Sequence, residues 1–545
     1  MSDEKITRIG EELFHEVDRL CPVEASILGI YDYADEMDSF SASDRAKMDA
    51  INKEFRSRLE AVPDNELSRT GLTEKRLLQS YLYGSDRYLH RSREWQRDPS
   101  VYLDLAVFAP YILLIREYAP LEERVGSIIK RLEKIPDVLA QGKQNLENPP
   151  EIYTRIGEET AEGAIASLGT LFERVAEEVP SRKEEILSAS KKAIDAIADF
   201  KKYLHEYLLP ISKGNYAAGE ELFNDILKNE NYLQYDADLL WKIGHMLFEE
   251  TEKELNEVGE KLYPGHTWPE VLEILREHHP PADELVKEYA QSTEKVREFV
   301  VKNDLVEIPP GESLDVIPTP EFMRCTIPYA AYMPPGYYDK KQHAHFWVTP
   351  IDSKLPAEEQ EKCLREHAYS KIHYVVLHES YPGHHLQLTT VSTLKSDILK
   401  RVHTNLFIEG WAFYCEQMMM EQGYLDEEGH FAQLKDQLWR AARVILDVGL
   451  HTGRISYDEA VKFLEEKVAT SSTAAMAEVK RYTRTPTQPL SYFIGKLEIL
   501  KIRDMFTDNF PEMTLKQFHQ KLLTCGSMPP ALIPGFLGIK ETAVK

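Results

Sequence analysis

The 545-residue sequence predicts a mainly α-helical protein with one small β-element near its middle. Apolar residues recur three and four positions apart, with charges between them, in stretches such as residues 72–95 and 181–209. Proline and glycine become frequent further along the chain, after which the helical pattern returns. We expect one continuous fold with three parts: a helical N-terminal lobe over residues 1–258, a Pro/Gly-rich segment with a small sheet over 259–350, and a second helical lobe over 351–545.

Prolines divide the N-terminal lobe into helices of ordinary length. A proline lacks the amide N–H and clashes with the turn before it, so it favours the start of a helix or a position beyond its end. We expect helix boundaries at Pro63, Pro110, Pro120, Pro136, Pro149, Pro150, Pro180 and Pro210.

Two short runs rich in β-branched and aromatic residues predict the β-element. They are CTIPYAAYM, residues 325–333, and HFWVTP, residues 345–350. Prolines and glycines separate the two runs, as expected for strands joined by a loop. The small sheet should therefore lie just before the region that contains most of the histidines.

The composition limits the classes of partner. The chain has 91 acidic and 65 basic residues and a net charge of −26, which argues against nucleic acid and anionic membranes because both repel a polyanion. Hydrophobic residues make up 43% of the chain, which is enough to bury a large core.

Cysteine usage and the N-terminal residues bear on location. The five cysteines are an odd number, lie far apart and form no CxxC pair, so a disulfide framework is not expected. The N-terminal residues lack the basic and apolar regions of a signal peptide, and no run of about 18 apolar residues occurs. We expect a cytoplasmic protein.

The motif that points most clearly to a catalytic or metal site is HESYPGHH, residues 378–385. It lies between His343 and His451, a stretch that contains ten of the 18 histidines. An apolar helical pattern precedes it, so His378 and Glu379 are expected on a helix, as a metal ligand and a neighbouring general base. The next histidines follow six and seven positions later, roughly 9 and 10.5 Å along a regular helix, too far to share one metal. The alternative is a kinked structural helix with surface histidines.

A distortion at SYPG would restore the geometry. Pro382 and Gly383 both favour a departure from regular helix, and a bulged turn there would bring a histidine back toward His378. We favour His384 as the second ligand because it needs the smaller correction, and His385 is the alternative.

A third ligand is expected on the apolar helical stretch of residues 404–423. Glu409 lies there among large apolar residues, where a carboxylate is costly to bury unless it is paired or bound to a metal. Glu416 is seven positions further on the same face. It is either a partner behind the metal ligands or a solvated edge.

The pattern resembles a known family. HESYPGHH and the following EGWAFYCEQ, residues 409–417, together with DVGLHTGRISYDEA (447–460) and AEVKRYTRTPTQPLSYFIG (477–495), are similar to the family filed as domain of unknown function 885. That family is similar to the glutamate zincins and, more distantly, to thimet oligopeptidase, angiotensin-converting enzyme and Taq-type carboxypeptidases. The resemblance implies a helical, two-lobed fold split by a deep channel with one zinc ion per chain at its floor.

Residue roles follow from this resemblance. His378, His384 and Glu409 would bind zinc, and Glu379 would take a proton from the attacking water and pass it to the leaving amine. Tyr482 and Tyr492 resemble the phenols that related peptidases use to stabilise the oxyanion, although a structural role is equally common.

Further candidates come from the flanking segments. Arg440, Arg443, Asp447 and His451 form a polar stripe on an apolar helix, in which Asp447 could orient His451 toward a substrate oxygen; the alternative is a salt-bridge ladder between helices. The two β-runs resemble an edge strand beside bound peptide, or else belong to ordinary sheet core. The substrate-binding candidates are Tyr329 and Ala330 on that strand, and Arg454 and Arg481 for a substrate carboxylate.

The sequence thus predicts a zinc-dependent peptidase of the carboxypeptidase or oligopeptidase type, acting on short peptides. One alternative is a metal-dependent amidase with a non-peptide substrate. The other is a non-catalytic peptide-binding protein, against which the presence of Glu379 argues, because a structural site needs ligands but no base.

Overall fold

The computed structural model describes residues 2–320, 324, 327 and 329–540. It is mainly α-helical with one small sheet, as predicted. The chain forms two compact units. Unit 1 comprises the described parts of Met1–Tyr216, Glu321–Cys325 and Pro335–Lys341, and unit 2 comprises those of Ala217–Pro320, Thr326–Pro334 and Gln342–Lys545.

Unit 1 contains nine α-helices among its described residues. They are α1 (Ser2–Leu20), α2 (Pro22–Leu28), α3 (Ala42–Glu60), α4 (Arg69–Arg87), α5 (Glu94–Arg97), α6 (Ser100–Ile115), α7 (Leu121–Asn145), α8 (Glu151–Glu178) and α9 (Lys183–Tyr203). Most of the predicted proline boundaries are confirmed, but Pro110 lies inside α6 and Pro136 inside α7. Buried apolar residues flank both prolines, and their packing outweighs the lost backbone hydrogen bond.

Unit 2 contains fifteen α-helices and three strands among its described residues. The helices are α10 (Glu220–Asp225), α11 (Ala237–Leu262), α12 (Trp268–Arg276), α13 (Leu285–Lys302), α14 (Ala357–Arg365), α15 (Tyr369–Glu379), α16 (His384–Ser392), α17 (Asp397–Arg401), α18 (Asn405–Glu421), α19 (Glu427–Thr452), α20 (Tyr457–Val468), α21 (Ser472–Arg484), α22 (Ser491–Asn509), α23 (Leu515–Leu523) and α24 (Ile533–Leu537). The most extensive helix pairs are α11 with α19 and α18 with α22.

The division between the units differs from the predicted lobes. The expected boundary at residue 258 falls inside α11, which packs along α19 and so belongs to unit 2. The change of composition near residue 259 follows the end of α11 and not the boundary between the two units.

The small sheet has the strand order β1–β3–β2, with β1 Ser313–Pro318, β2 Ala330–Met333 and β3 His343–Val348. β3 pairs parallel with β1 and antiparallel with β2. The two predicted runs therefore do pair, but β3 is the central strand, so only β2 of the two is an edge. The β1 strand was not predicted, and Cys325, Thr326 and Pro328 of the first run lie outside the described residues.

Two further findings concern the cysteines and hydrophobic helices. The four described cysteines, Cys21, Cys363, Cys415 and Cys525, are free thiols, and Cys325 lies outside the described residues. Within the described chain, no single helix is long and apolar enough to cross a membrane, although the bent pair Arg69–Arg97 and Ser100–Ile115 passes the same test together.

Candidate metal centre

The helix that carries His378 is broken at the predicted place. α15 ends at Glu379 and α16 begins at His384, with the four-residue turn Ser380–Gly383 between them. A Cβ atom built on Gly383 would overlap the carbonyl of His378, so the turn can be this tight only with glycine. The indole N–H of Trp411 on α18 donates to the carbonyl of Pro382 at 2.9 Å and holds the turn in place.

The break brings His384 rather than His385 back toward His378. The rings of His378 and His384 are perpendicular, with centroids 4.7 Å apart. One carboxylate oxygen of Glu409 lies 3.8 Å from Nε2 of His378 and 3.4 Å from Nε2 of His384. The three residues predicted as metal ligands therefore converge. We call His378, His384 and Glu409, together with Glu379, the metal-ligand cluster.

Two glycines position Glu409. At Gly410 on α18 and Gly495 on α22 the two backbones approach so closely that a Cβ on either glycine would overlap the other helix. This close crossing is why α18 and α22 pack so extensively. It places Glu409 near Tyr492, whose phenol lies in the electrostatic field of the Glu409 carboxylate.

Glu379 completes the cluster from the end of α15. One carboxylate oxygen of Glu379 and one ring nitrogen from each of His378 and His384 all lie within 4.8 Å of one another. Among the described residues the Glu379 carboxylate accepts no hydrogen bond, and it is only partly buried. It is therefore available to take up a proton.

A buried ion pair orients His378 from behind. Nδ1–H of His378 donates to Glu416 at 2.8 Å, which leaves Nε2 facing Glu409. The same Glu416 oxygen accepts from the Arg440 guanidinium at 3.2 Å, and Arg440 also pairs with Asp436. Glu416 is fully buried, so of the two predicted alternatives it is the partner behind the ligands and not a solvated edge.

The electrostatics of the cluster favour positive charge. Burial disfavours a charged imidazole, yet the carboxylates of Glu409 and Glu416 outweigh burial and raise the pKa of His378 to about 9. Burial likewise opposes a charged Glu409, but His378 and His384 hold the pKa of that carboxyl well below its usual range. A cation between the rings and Glu409 would satisfy the same field.

The cluster fits a zinc ion in donor type and spacing. Two ligand atoms bound to one tetrahedral zinc, each about 2.0–2.1 Å from it, lie roughly 3.4 Å apart. The 3.4 and 3.8 Å separations between Glu409 and the two Nε2 atoms match this value closely. Two imidazoles and one carboxylate are also a common ligand set of catalytic zinc.

His385, the alternative second ligand, faces away from the cluster. Its Nε2 lies 2.6 Å from Glu312, and its Nδ1 lies 3.1 Å from the hydroxyl of Tyr332 on β2. Tyr381 donates to the same Glu312 oxygen at 2.7 Å, so the turn is tied to the residue that precedes β1. Sequence reasoning missed Glu312, because nothing in its surroundings resembles a site and its partner is 73 positions away.

His451 does not join the cluster. Its Nε2–H donates to the carbonyl of Tyr482 at 2.9 Å, and its Nδ1 accepts the backbone N–H of Ala218 at 3.3 Å. Burial lowers the pKa of His451 to about 4, so the ring is neutral. The expectation that it reaches a substrate oxygen is wrong for this structure, since both nitrogens are bonded to the backbone.

Asp447 also stabilises the fold and does not orient His451. Its two carboxylate oxygens accept the backbone N–H groups of Thr487 and Leu490, each at 3.1 Å, while the nearest oxygen is 3.9 Å from Nε2 of His451. Burial raises the pKa of this carboxyl to about 8, against the effect of the two N–H donors. Asp447 thus holds the loop that leads into α22.

The two nominated tyrosines have different surroundings. The hydroxyl of Tyr482 donates to Glu478 at 2.7 Å and accepts from Arg443 at 3.0 Å and Trp439 at 3.2 Å. Its one donor and both of its acceptor positions are therefore occupied. Burial raises the pKa of Tyr492, and the Glu409 carboxylate raises it further. Tyr492 also lies three residues before Gly495, where α22 crosses α18 next to Glu409, so it is the phenol on the cluster side.

The nominated substrate-binding residues are spread over several places. Arg454 pairs with Asp238 at 2.6 Å, whereas Arg481 pairs with Glu478 at 2.9 Å, next to Tyr482. Tyr329 is exposed and packs edge-on against His367, and Ala330 pairs with Val348 in the sheet.

Comparison with known proteins identifies the family. A family model described as "Bacterial protein of unknown function (DUF885)" matches residues 22–535, and the chain belongs to that family. The resemblance to domain of unknown function 885 that the motifs predicted is thereby confirmed. No curated protein matches the chain.

Two solved structures share the fold. One is described as "The structure of a putative lipoprotein of unknown function from Shewanella oneidensis", with a TM-score of 0.81 and 23% identity over 98% of this chain and 100% of that one. The other is "the putative lipoprotein from Colwellia psychrerythraea", with a TM-score of 0.81 and 18% identity over 99% of both chains.

Proposed function

We propose that this protein is a zinc-dependent peptidase that hydrolyses short peptides. The observation that supports the proposal is the convergence of His378, His384 and Glu409 beside the carboxylate of Glu379, to which no described residue donates a hydrogen bond. A purely structural metal site needs ligands but no base, whereas a metal-dependent hydrolase needs both. We also propose that the protein is related to the glutamate zincins, that a channel leads to the site and that the protein is cytoplasmic.

Each member of the cluster has a defined task in this mechanism. His378, His384 and Glu409 hold zinc, which when bound acts as a Lewis acid toward the substrate carbonyl and makes a neighbouring water more acidic. Glu379 accepts the proton of the attacking water as the water oxygen bonds to the carbonyl carbon. It then passes that proton to the nitrogen as the C–N bond breaks, so that the product leaves as a neutral amine.

Two further groups assist these steps. Tyr492, beside Glu409, donates a hydrogen bond to the carbonyl oxygen as negative charge develops there. The buried pair of Glu416 and Arg440 keeps the His378 ring turned so that its Nε2 faces the cluster.

Metal analysis with a matched pair of variants tests the ligand set. The purified protein should contain about one zinc per chain and hydrolyse short peptides, and a chelator should stop that hydrolysis until zinc is restored. His384→Gln should lose most of the zinc. His385→Gln, the same change one position along, should retain it, because His385 faces Glu312 and Tyr332.

Two results would contradict the proposal. Full zinc content in His384→Gln would remove that residue from the ligand set. A zinc-loaded wild-type protein that hydrolyses no member of a peptide library would rule out the peptidase activity itself.

A further inference from the structure

Two arginines, one of which lies against the Tyr492 ring, share a single carboxylate. One oxygen of Glu478 accepts hydrogen bonds from Arg481 at 2.9 Å, from Arg443 at 3.0 Å and from the Tyr482 hydroxyl at 2.7 Å. Both guanidinium groups are charged at any physiological pH, and Glu478 is ionised because the two arginines lower its pKa to about 2 against the effect of burial. The group therefore carries one positive charge in excess.

A further acidic side chain, that of Asp447, does not cancel that charge. Asp447 lies in the electrostatic field of Arg481, but both of its oxygens are bonded to backbone N–H groups. Its burial also disfavours ionisation near neutral pH. No ion pair joins Arg481 or Arg443 to a described carboxylate other than Glu478.

The excess charge lies next to the reacting groups. The guanidinium carbon of Arg443 is 4.6 Å from the centre of the Tyr492 ring, and that of Arg440 is 5.6 Å from the same ring. Arg440 bonds Glu416, which in turn bonds His378. Tyr492 thus contacts both Arg443 and the buried ion pair behind His378.

The two arginines differ in access. The side chain of Arg443 is 13% exposed, while that of Arg481 is 35% exposed and uses Nη1 and Nη2 for Gln488 and Glu478. A guanidinium group has five N–H donors in a planar fork, so Arg481 keeps donors for a second carboxylate. Arg443 is held by Tyr482 and Glu478 and contributes its charge from behind.

We infer that Arg481, supported by Arg443, binds the free C-terminal carboxylate of the peptide substrate, so that cleavage occurs close to that end. The inference rests on the proposed peptidase function. It assigns the substrate class: short peptides with an unblocked C-terminus, in preference to C-terminal amides of the same sequence.

The test compares matched peptides that differ only in a C-terminal carboxylate or carboxamide. Wild-type protein should hydrolyse the acid with a kcat/KM about 10- to 100-fold higher than the amide, as expected for a charge-assisted hydrogen bond. Arg481→Gln should lose most of this preference through a higher KM for the acid alone, with zinc content unchanged.

Arg503→Gln is the matched control. Arg503, like Arg481, is partly exposed and bonds one glutamate and one neutral oxygen: Glu421 and the Tyr414 hydroxyl for Arg503, Glu478 and Gln488 for Arg481. It lies 11 residues beyond Tyr492, roughly 16 Å along α22. This variant should keep the full preference of the wild-type protein for the acid.

The outcomes separate this inference from the proposed function. Hydrolysis of acid and amide at equal rates by wild-type protein would overturn the inference and leave the peptidase activity standing, whereas hydrolysis of neither would refute the function. If Arg481→Gln did not fold, product inhibition of the wild-type protein would decide the question. The C-terminal product with a free carboxylate should inhibit more strongly than its amide, and equal inhibition would overturn the inference.

Discussion

The metal-ligand cluster and the surroundings of His451 contain similar buried side chains, but their hydrogen bonds go to different places. In the cluster, the free faces of His378 and His384 point at Glu409, and Glu379 accepts no hydrogen bond from a described residue. Around His451, both ring nitrogens are bonded to the backbone. Burial is similar in the two regions, so burial alone does not mark a functional histidine.

The two regions also differ in what they need for stability. The cluster brings two carboxylates, Glu379 and Glu409, to the same pair of imidazoles, an arrangement that favours an added positive charge. His451 is neutral and completes its hydrogen bonds within the chain, so it is stable without any ligand. Substitutions in the cluster should therefore affect activity, and those around His451 should affect folding.

The largest expected effect comes from removing the proposed base. Glu379→Gln keeps the shape of the side chain but cannot accept a proton from water, so kcat should fall by about 10²- to 10⁴-fold. Zinc content should stay at the wild-type level because His378, His384 and Glu409 are intact. Steady-state kinetics on one peptide, with metal analysis of the same preparation, measures both quantities.

An exposed glutamate on α20 provides the control for this variant. Glu466→Gln makes the same chemical change at a residue that, among the described side chains, forms an ion pair with Lys462 alone, and it should leave kcat unchanged. Wild-type turnover by zinc-loaded Glu379→Gln would show that the base is another residue.

Much of the cluster could be predicted from the sequence because its signals are local. The apolar pattern before His378 predicts α15, and Pro382 with Gly383 predicts the break that selects His384 over His385. The need to compensate a buried carboxylate pointed to Glu409. Each of these inferences depends on neighbours within a few residues.

The errors concern contacts between distant parts of the chain. The partner of Nδ1 in His451 is the backbone of Ala218, 233 positions away, and no side-chain pattern reveals a backbone donor. Glu312 and the strand that follows it were missed for the same reason. The alignment of Asp447 with His451 at helical spacing was correct, but the carboxylate turns to Thr487 and Leu490 instead.

Tyr492 and Tyr482 allow the metal-ligand cluster and the surroundings of His451 to be compared through the same substitution. Tyr492→Phe should lower kcat by roughly 10²- to 10³-fold with little change in KM, as expected for the loss of an oxyanion donor. Tyr482→Phe should leave kcat within about threefold of wild type, because its hydroxyl is already bonded to Glu478, Arg443 and Trp439. Equal losses in the two variants would contradict the distinction drawn between them.

The smallest effect on activity, and a defined effect on stability, is expected for His451→Gln. Glutamine keeps one donor and one acceptor for the carbonyl of Tyr482 and the N–H of Ala218, so peptide hydrolysis should stay within about twofold of wild type. At pH 7 the variant should lose roughly 1–3 kcal/mol of unfolding free energy through poorer hydrogen bonds.

The pH dependence of the unfolding free energy lost in His451→Gln tests whether the buried imidazole of His451 is neutral. In the unfolded chain His451 takes up a proton near pH 6.5, whereas burial lowers its pKa to about 4 in the folded protein. Between these values the unfolded state binds more protons, so the stability that neutral His451 contributes is present above pH 6.5 and is lost as the pH falls toward 4. Glutamine does not titrate, so the gap in unfolding free energy between wild type and His451→Gln should shrink by about 2 kcal/mol from pH 7 to pH 5. Urea unfolding of both proteins at the two pH values measures this change. A gap that stays constant with pH would mean that His451 takes up its proton at the same pH in the folded and the unfolded protein. His451 would then not be a buried neutral imidazole, and its contrast with the histidines of the metal-ligand cluster would fail.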